Sequence, residues 1–323
     1  MSTAATLDRP TSLPERSSGS SDFRLPPGPR LPPPISALLF LFAQRPLARL
    51  MKARYGDAYT LKLPTLGTTV FVGHPELVKT VYTGKPDVLH AGDNPLGEFF
   101  GPGSLFSMDE GRHLKERRML LPPFHGDRMR AYDALIEEES LRAFASWPQY
   151  KEFKSLPTFN KITLRVILRA VFGAEGAQLS ELELMIPKMT QIGQKIVAVP
   201  PLGRDLGRWS IGGRYRPMRA RYDQLIDDLI QKHLDDPGLD ERIDILALML
   251  GSMLQEGEEI NRGEVGDELI TLLMAGHETT ASSLAFAVER LRRHPEILHR
   301  LEEEAAGEGS ELRAATILEV QRT

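Results

Sequence analysis

Ala275-Gly276-His277-Glu278-Thr279-Thr280-Ala281-Ser282-Ser283 lies at the centre of a long helical pattern, residues 262–293, and it is an odd middle for a helix. Asn261 can cap the pattern, with Glu264 at the spacing of a capping box. His294-Pro295 ends it, because a residue before proline avoids the helical region. At the α-helical rise such a helix runs roughly 45–50 Å, enough to cross a domain. Leu269, Leu272, Leu273 and Met274 before the centre, and Leu284, Phe286, Val288 and Leu291 after it, predict that it is largely buried. Yet Gly276 costs about 1 kcal/mol relative to Ala inside a helix, and a buried Glu278 costs more unless it is partnered. Ala275 and Thr279 are four apart and share a face. Small residues there leave room for something large and flat against the backbone. They equally suit a close helix crossing, with His277 and Glu278 turned to water. A threonine hydroxyl can also bond the carbonyl four residues back and bend the helix. A zinc-protease reading fails, because Ala281 stands where the second His of H-E-x-x-H belongs.

The 323 residues carry a net charge of −4 and an apolar fraction of 41%, so a sizeable core is available and bulk charge gives no attraction to nucleic acid. Any basic patch is local. There is no cysteine, which excludes disulfides, thiolate nucleophiles and thiolate metal sites made by these residues. No segment approaches the roughly 20 apolar residues of a membrane span; the nearest, Ile35 to Ala43, is too short. The expectation is a cytoplasmic protein with no membrane span.

Outward from the central helix the pattern is mainly α with a small β element. Residues 1–22, rich in Ser and Thr, read as a disordered tail, and residues 23–323 as one domain. Pro26-Pro27-Gly28-Pro29 and Pro32-Pro33-Pro34 mark the entry to that domain. A helix is expected over Pro46 to Tyr55, a hairpin over 58–63 and 69–72, a helix after His74-Pro75, and a long loop over 89–107. Helices follow at 111–121, 128–146, 159–172 with Gly173 as its cap, 180–195, 217–234 and 242–254, with Pro200-Pro201 and Gly212-Gly213 as breaks. One more begins near Pro295, and another is starting at the last residues. Glu296-Ile297-Leu298-His299 is a lone E-x-x-H, and a carboxylate-bridged di-iron bundle needs two.

Ala275 to Thr280 resembles the central-helix motif of the cytochrome P-450 family of haem-thiolate monooxygenases: Ala or Gly, Gly, any residue, Asp or Glu, Thr, then Thr or Ser. Three further stretches are similar to that family. Pro26-Pro27-Gly28-Pro29 looks like its proline-rich entry. His113-Leu114-Lys115-Glu116-Arg117, with Met119 to Phe124 after it, looks like its third helix, where two cationic donors four apart hold a haem propionate. Glu319-Val320-Gln321-Arg322 looks like its E-x-x-R, a structural ion pair near the haem.

The resemblance implies the cytochrome P-450 fold, incomplete at the C-terminus, since what the family places after E-x-x-R, including the loop with the axial Cys, is missing here. It implies haem b, two electrons, O2, and insertion of one oxygen atom into a lipophilic organic substrate. Glu278 and Thr279 match the catalytic proton-delivery positions. His113, Arg117, Ala275 and Gly276 match cofactor-binding positions, the last two lining the haem face. An acidic ferredoxin- or flavodoxin-type donor is expected at Arg112, Lys115 and Arg118. No metal ligand is expected from these residues, so the chain as written is expected to be inactive alone. The competing expectation is a non-enzymatic remnant or a helical small-molecule-binding protein.

Overall fold

The computed structural model describes residues 24–64, 66–85, 88–90, 95–121, 124, 130–307 and 309–322. The tail expected over residues 1–22 lies outside these. The chain divides into two compact units, Met1–Lys85 and Pro86–Thr323.

In the first unit, helices α1 (Pro33–Phe42) and α2 (Gln44–Tyr55) pack on an antiparallel hairpin of β1 (Ala58–Leu63) and β2 (Gly67–Val72). The hairpin expected from sequence pairs Ala58 with Val72 through to Leu63 with Gly67, its second strand starting two residues earlier than expected. Its core joins Leu47 and Met51 of α2, one turn apart, to Leu61 and Leu63 of β1. Phe40, Tyr59 and Phe71 pack beside them. α1 is a helix that the proline run conceals. Two prolines open it, where helical N–H groups have no partner to lose. Pro27 and Pro26 are tied to the hairpin, their carbonyls accepting from the N–H and the hydroxyl of Thr60. Helix α3 (Pro75–Tyr82) follows, the Nδ1 of His74 accepting the Glu76 N–H at its start.

The second unit is helical among its described residues. Where a long loop is expected, a short helix α4 (Pro95–Phe100) and a single 3-10 turn at Leu105–Ser107 appear. Then come α5 (Glu110–Leu120), α6 (Asp133–Phe144), α7 (Ser155–Phe172), α8 (Gly176–Ala198), α9 (Ile211–Leu234) and α10 (Ile245–Glu256). The central helix α11 (Arg262–Arg293) is followed by α12 (Pro295–Ala305) and α13 (Glu311–Arg322). Gly173, left-handed at φ 57°, ends α7, and Asn261 caps α11 by accepting the Glu264 N–H. Gly212-Gly213 does not break the chain. Ser210 caps α9 just before, and both glycines lie in its first turn, where Cβ atoms would strike the carbonyls of Gly203 and Gly207. Local propensity called a break where tertiary closeness requires glycine.

The main core runs through α7, α8, α9, α10 and the first half of α11, with Leu168, Phe172, Leu182, Tyr222, Leu229, Leu246, Leu269 and Leu273 essentially sealed. Glu139 of α6 is buried among Arg142, Arg165 and Arg169, so its charge is met on three sides and α6 is fastened to α7. The closest helix crossing sets α7 across the middle of α11. A Cβ on Gly276 would lie 2.3 Å from Cδ1 of Ile167. Thr163 of α7 places its hydroxyl 3.0 Å from the His277 carbonyl. Leu273, His277 and Ala281, spaced by four, form the buried edge at this crossing.

Gly276→Ala should therefore destabilise the protein by about 1 kcal/mol, the overpacking outweighing the gain in helix propensity. With Ile167→Val already in place, which removes the obstructing methyl, the same change should stabilise by about the propensity difference. Urea unfolding of the two single variants and the double variant measures the coupling; additive effects would show that the two sites do not meet.

Candidate functional site

α11 is buried on nearly every side from Val265 to Thr271, and then it becomes one-sided. Past the crossing with α7 its opposite face is bare. Ala275, Thr279, Thr280, Ser282, Ser283 and Phe286 are exposed, and Leu284 with them. Burial along the whole helix, expected from its apolar residues, thus holds for the first half only, because no described element covers this face of the second half. Ala275, Thr279, Ser282, Ser283 and Phe286 recur at helical spacing and make one stripe.

Along this stretch each side chain has a definite position. The Thr279 hydroxyl donates to the Ala275 carbonyl at 2.6 Å, the back-bond anticipated from sequence. Its proton is committed to the helix, so its lone pairs face outward. Glu278, half-buried, accepts from Nε2 of Gln194 on α8 at 2.8 Å. His277 is not turned to water: it is buried, and its Nδ1 lies 3.3 Å from the Leu273 carbonyl. Burial holds its imidazole below the usual histidine range, so the neutral ring donates from Nδ1 to that carbonyl. Gly276 faces Ile167 of α7, whereas Ala275 lies on the bare face. Gln194 escaped the sequence reading because only the fold brings α8 to α11.

α5 carries His113, half-buried, and Arg117, exposed, four apart on one face. Neither side chain has a hydrogen bond or ion pair among the described residues, and none joins them to Ala275 or Thr279. α5 is instead fixed through its next face: Arg112 pairs with Glu264 in the first turn of α11 at 3.0 Å, and Lys115 with Glu258 in the short connection before it. Of the three cations read as a docking patch, Arg112 and Lys115 are engaged internally, and Arg118 has no acidic partner among the described residues. Glu319 and Arg322 of α13 form a two-pronged pair, with Nε donating to Oε2 at 2.7 Å, exposed to solvent.

A second constellation escaped the sequence reading. Three buried side chains within little more than one turn of α11 hold three successive residues of the segment after α4. Asp267 accepts the Gly103 N–H and Glu268 the Leu105 N–H, both at 2.9 Å, while the Thr271 hydroxyl meets that of Ser104 at 2.7 Å. Arg219 of α9 joins them, pairing with Asp267 and donating to the Phe100 carbonyl at 3.0 Å. Gly103 lies so close to the α11 backbone that a Cβ would sit 2.4 Å from Cα of Glu264. Glu268 is 4% exposed, and its Oε1 has no partner. Burial, reinforced by the carboxylates of Glu116 and Asp267, pushes its acid up to about 7, against the opposing Leu105 N–H. The signal was Asp267-Glu268 in an otherwise apolar stretch of a buried helix, which demands partners from elsewhere.

These features define a mainly α-helical protein organised on one long helix, crossed closely on one side and bare over a small-residue stretch on the other. The family model for cytochrome P450 matches residues 26–314. Proteins named putative cytochrome P450 138, from Mycobacterium tuberculosis and Mycobacterium bovis, are 46% identical over 299 residues, 93% of this chain and 68% of theirs. Putative cytochrome P450 135B1 of Mycobacterium tuberculosis is 36% identical, over 86% of this chain and 59% of its own length. Among solved structures, retinoic acid-bound cyanobacterial CYP120A1 superposes with a TM-score of 0.73 at 19% identity, covering 87% of this chain and 63% of that one. The chain belongs to the cytochrome P450 family, whose members use haem, and it spans roughly two thirds of the length of these relatives.

Glu268 gives a pH signature. Its pKa in the fold, about 7, lies above the ordinary 4.5, so the folded state binds the extra proton between those values. Its contribution is therefore full at pH below 4.5 and declines as the pH rises to about 7. Glu268→Gln keeps an acceptor for Leu105 and should abolish a loss of up to about 3 kcal/mol across that window. Urea midpoints on either side of the window test this; parallel pH profiles for the parent and the variant would refute it.

Proposed function

We propose that this chain forms the oxygen-side wall of a haem-dependent monooxygenase that inserts one atom of O2 into a lipophilic organic substrate. The observation that carries this reading is the bare stripe of Ala275, Thr279, Ser282 and Ser283 on a helix whose first half is buried, with Thr279 turned so that its lone pairs face away from the backbone. A flat group fits a face of small side chains, and a carboxylate-bearing group fits His113 and Arg117, whose donors have no partner among the described residues. The donor set lacks one element: these residues contain no cysteine, so none of them supplies the thiolate.

Haem b, when bound, supplies the redox chemistry that splits O2 with two electrons. Everything else falls to the side chains. Ala275 keeps the approach to the helix open. Thr279 accepts a hydrogen bond at Oγ1 from a water and so positions it for proton delivery, while its own proton stays with the Ala275 carbonyl. Glu278, held by Gln194, stands about 100° round the helix and delivers protons from the solvent side. Gly276 acts through the crossing with α7, where it lets the two backbones close. Glu319 and Arg322 hold α13 as a pair. A ferredoxin- or flavodoxin-type donor meets α5, where Arg118 offers the unpaired charge and Arg112 and Lys115 contribute what their ion pairs leave. The described residues of segment 89–107, together with Met185 to Leu206, form the pocket wall, apolar in composition.

In a version extended to the length of its relatives, Thr279→Ala should lower product per electron by at least about ten-fold, oxygen consumption continuing and appearing as peroxide. Unchanged product yield would remove Thr279 from proton delivery. The thiolate-type band of the reduced carbon monoxide adduct, recorded on the same preparation, separates a monooxygenase from a protein that merely binds small molecules.

Replacing His113 and Arg117 together by Ala should weaken haem retention by about a hundred-fold or more, since each charge-assisted bond contributes roughly 1.5–3 kcal/mol. Haem remaining after dialysis measures it, and full occupancy in the double variant would show that other groups hold the propionates.

A further inference from the structure

Between Arg24 and Gly56 the chain carries six basic side chains, Arg24, Arg30, Arg45, Arg49, Lys52 and Arg54, and no Asp or Glu, although the whole chain is net negative. All six are exposed. Lys52 pairs with Asp57 at 2.8 Å, but Arg30, Arg45 and Arg49 have no acidic partner among the described residues. The positive charge on this stretch is thus left largely uncompensated.

The same stretch contains α1, in which every residue from Ile35 to Phe42 is apolar except the buried Ser36. Leu39 and Phe40 turn inward to the hairpin core. Ile35, Leu38, Leu41 and Phe42 do not: they are 47%, 58%, 46% and 82% exposed. At i, i+3, i+6 and i+7 they make one stripe. Only Ala43 separates the end of this stripe from α2, whose exposed Arg45 and Arg49 lie one turn apart. Leu50 beside them is 60% exposed.

We propose that α1 and α2 form a docking surface for an anionic lipid bilayer, α1 lying in the plane of the interface with its Leu–Phe stripe among the acyl chains and the arginines at the headgroups. An apolar stripe flanked by cations is the pattern that lies in such an interface. The helix has 10 residues, far short of a span, and no described helix is long and apolar enough to cross a membrane. A second copy of the chain is a poor occupant. A two-fold contact through this stripe would add the same cations from the second copy and no acidic side chain, since residues 24–56 contain none. Anionic lipid supplies the apolar and the acidic complement together.

The test is co-sedimentation of the 323-residue chain with vesicles of phosphatidylcholine containing phosphatidylglycerol, and with phosphatidylcholine alone. Binding to the anionic vesicles is expected at low salt, weakening at least about ten-fold in high salt as screening grows. Arg45→Gln with Arg49→Gln should weaken it by about five-fold per charge. Leu38→Glu or Phe42→Glu should weaken it by at least about ten-fold, with the thermal transition unchanged, because both side chains already face solvent. Absence of binding to anionic vesicles at low salt would overturn the proposal, as would equal binding by the Phe42→Glu and arginine variants. A dimer in solution that Phe42→Glu dissolves would assign the stripe to a second copy instead.

Discussion

Where α11 passes over α7, Gly276 leaves no side chain between its backbone and Ile167, and Thr163 reaches across to the His277 carbonyl. That approach has two consequences. One side of α11 is consumed, so that Leu273, His277 and Ala281 are buried there. The opposite side carries nothing bulky, since Ala275, Thr279, Ser282 and Ser283 occupy it. The rotation of the helix is fixed by the crossing, and the rotation determines which residues are bare. Thr279 faces outward because His277, two residues earlier, faces inward.

The first half of the same helix is governed by charge. Asp267 and Glu268 are buried carboxylates, and burying such groups is unfavourable unless hydrogen bonds meet them. They are met by backbone N–H groups of residues 103 and 105, and for Asp267 also by Arg219. Polar demand on one helix thus helps to order a glycine-containing segment, alongside the packing of Leu105 on the core and of Phe106 on Phe100. The orphaned Oε1 of Glu268 is the imperfect member, and it is the reason that this clamp responds to pH. A segment that the resemblance assigns to the pocket wall is therefore held by polar contacts as well as by the core into which Phe99 and Phe100 pack.

The N-terminal unit follows a different logic. Its small core uses alternate residues of the hairpin and one side of each helix. The remaining apolar side of α1 is left outside, next to cations without local partners. A net-negative protein that concentrates positive charge beside exposed leucines separates its surface into regions of opposite affinity.

Much of this was fixed by sequence alone. The period and the caps of residues 262–293 set the bounds of α11 to the residue, and the β-branched runs after residue 57 marked the hairpin. The order of small, acidic and hydroxyl residues at 275–280 pointed to the family that the comparisons establish. What sequence left open was decided by contacts between distant residues. α1 hid behind its prolines, and Gly212-Gly213 looked like a break until the loop at Gly203–Gly207 closed on them. His277 and Glu278 are neighbours in sequence, yet one is buried and the other bonded to Gln194. Arg112 and Lys115 read as a free basic face, but Glu264 and Glu258 claim them. Periodicity records which residues share a face. Which face meets which neighbour depends on partners that can lie more than a hundred residues away, as Glu264 does from Arg112, and only the folded chain brings those together.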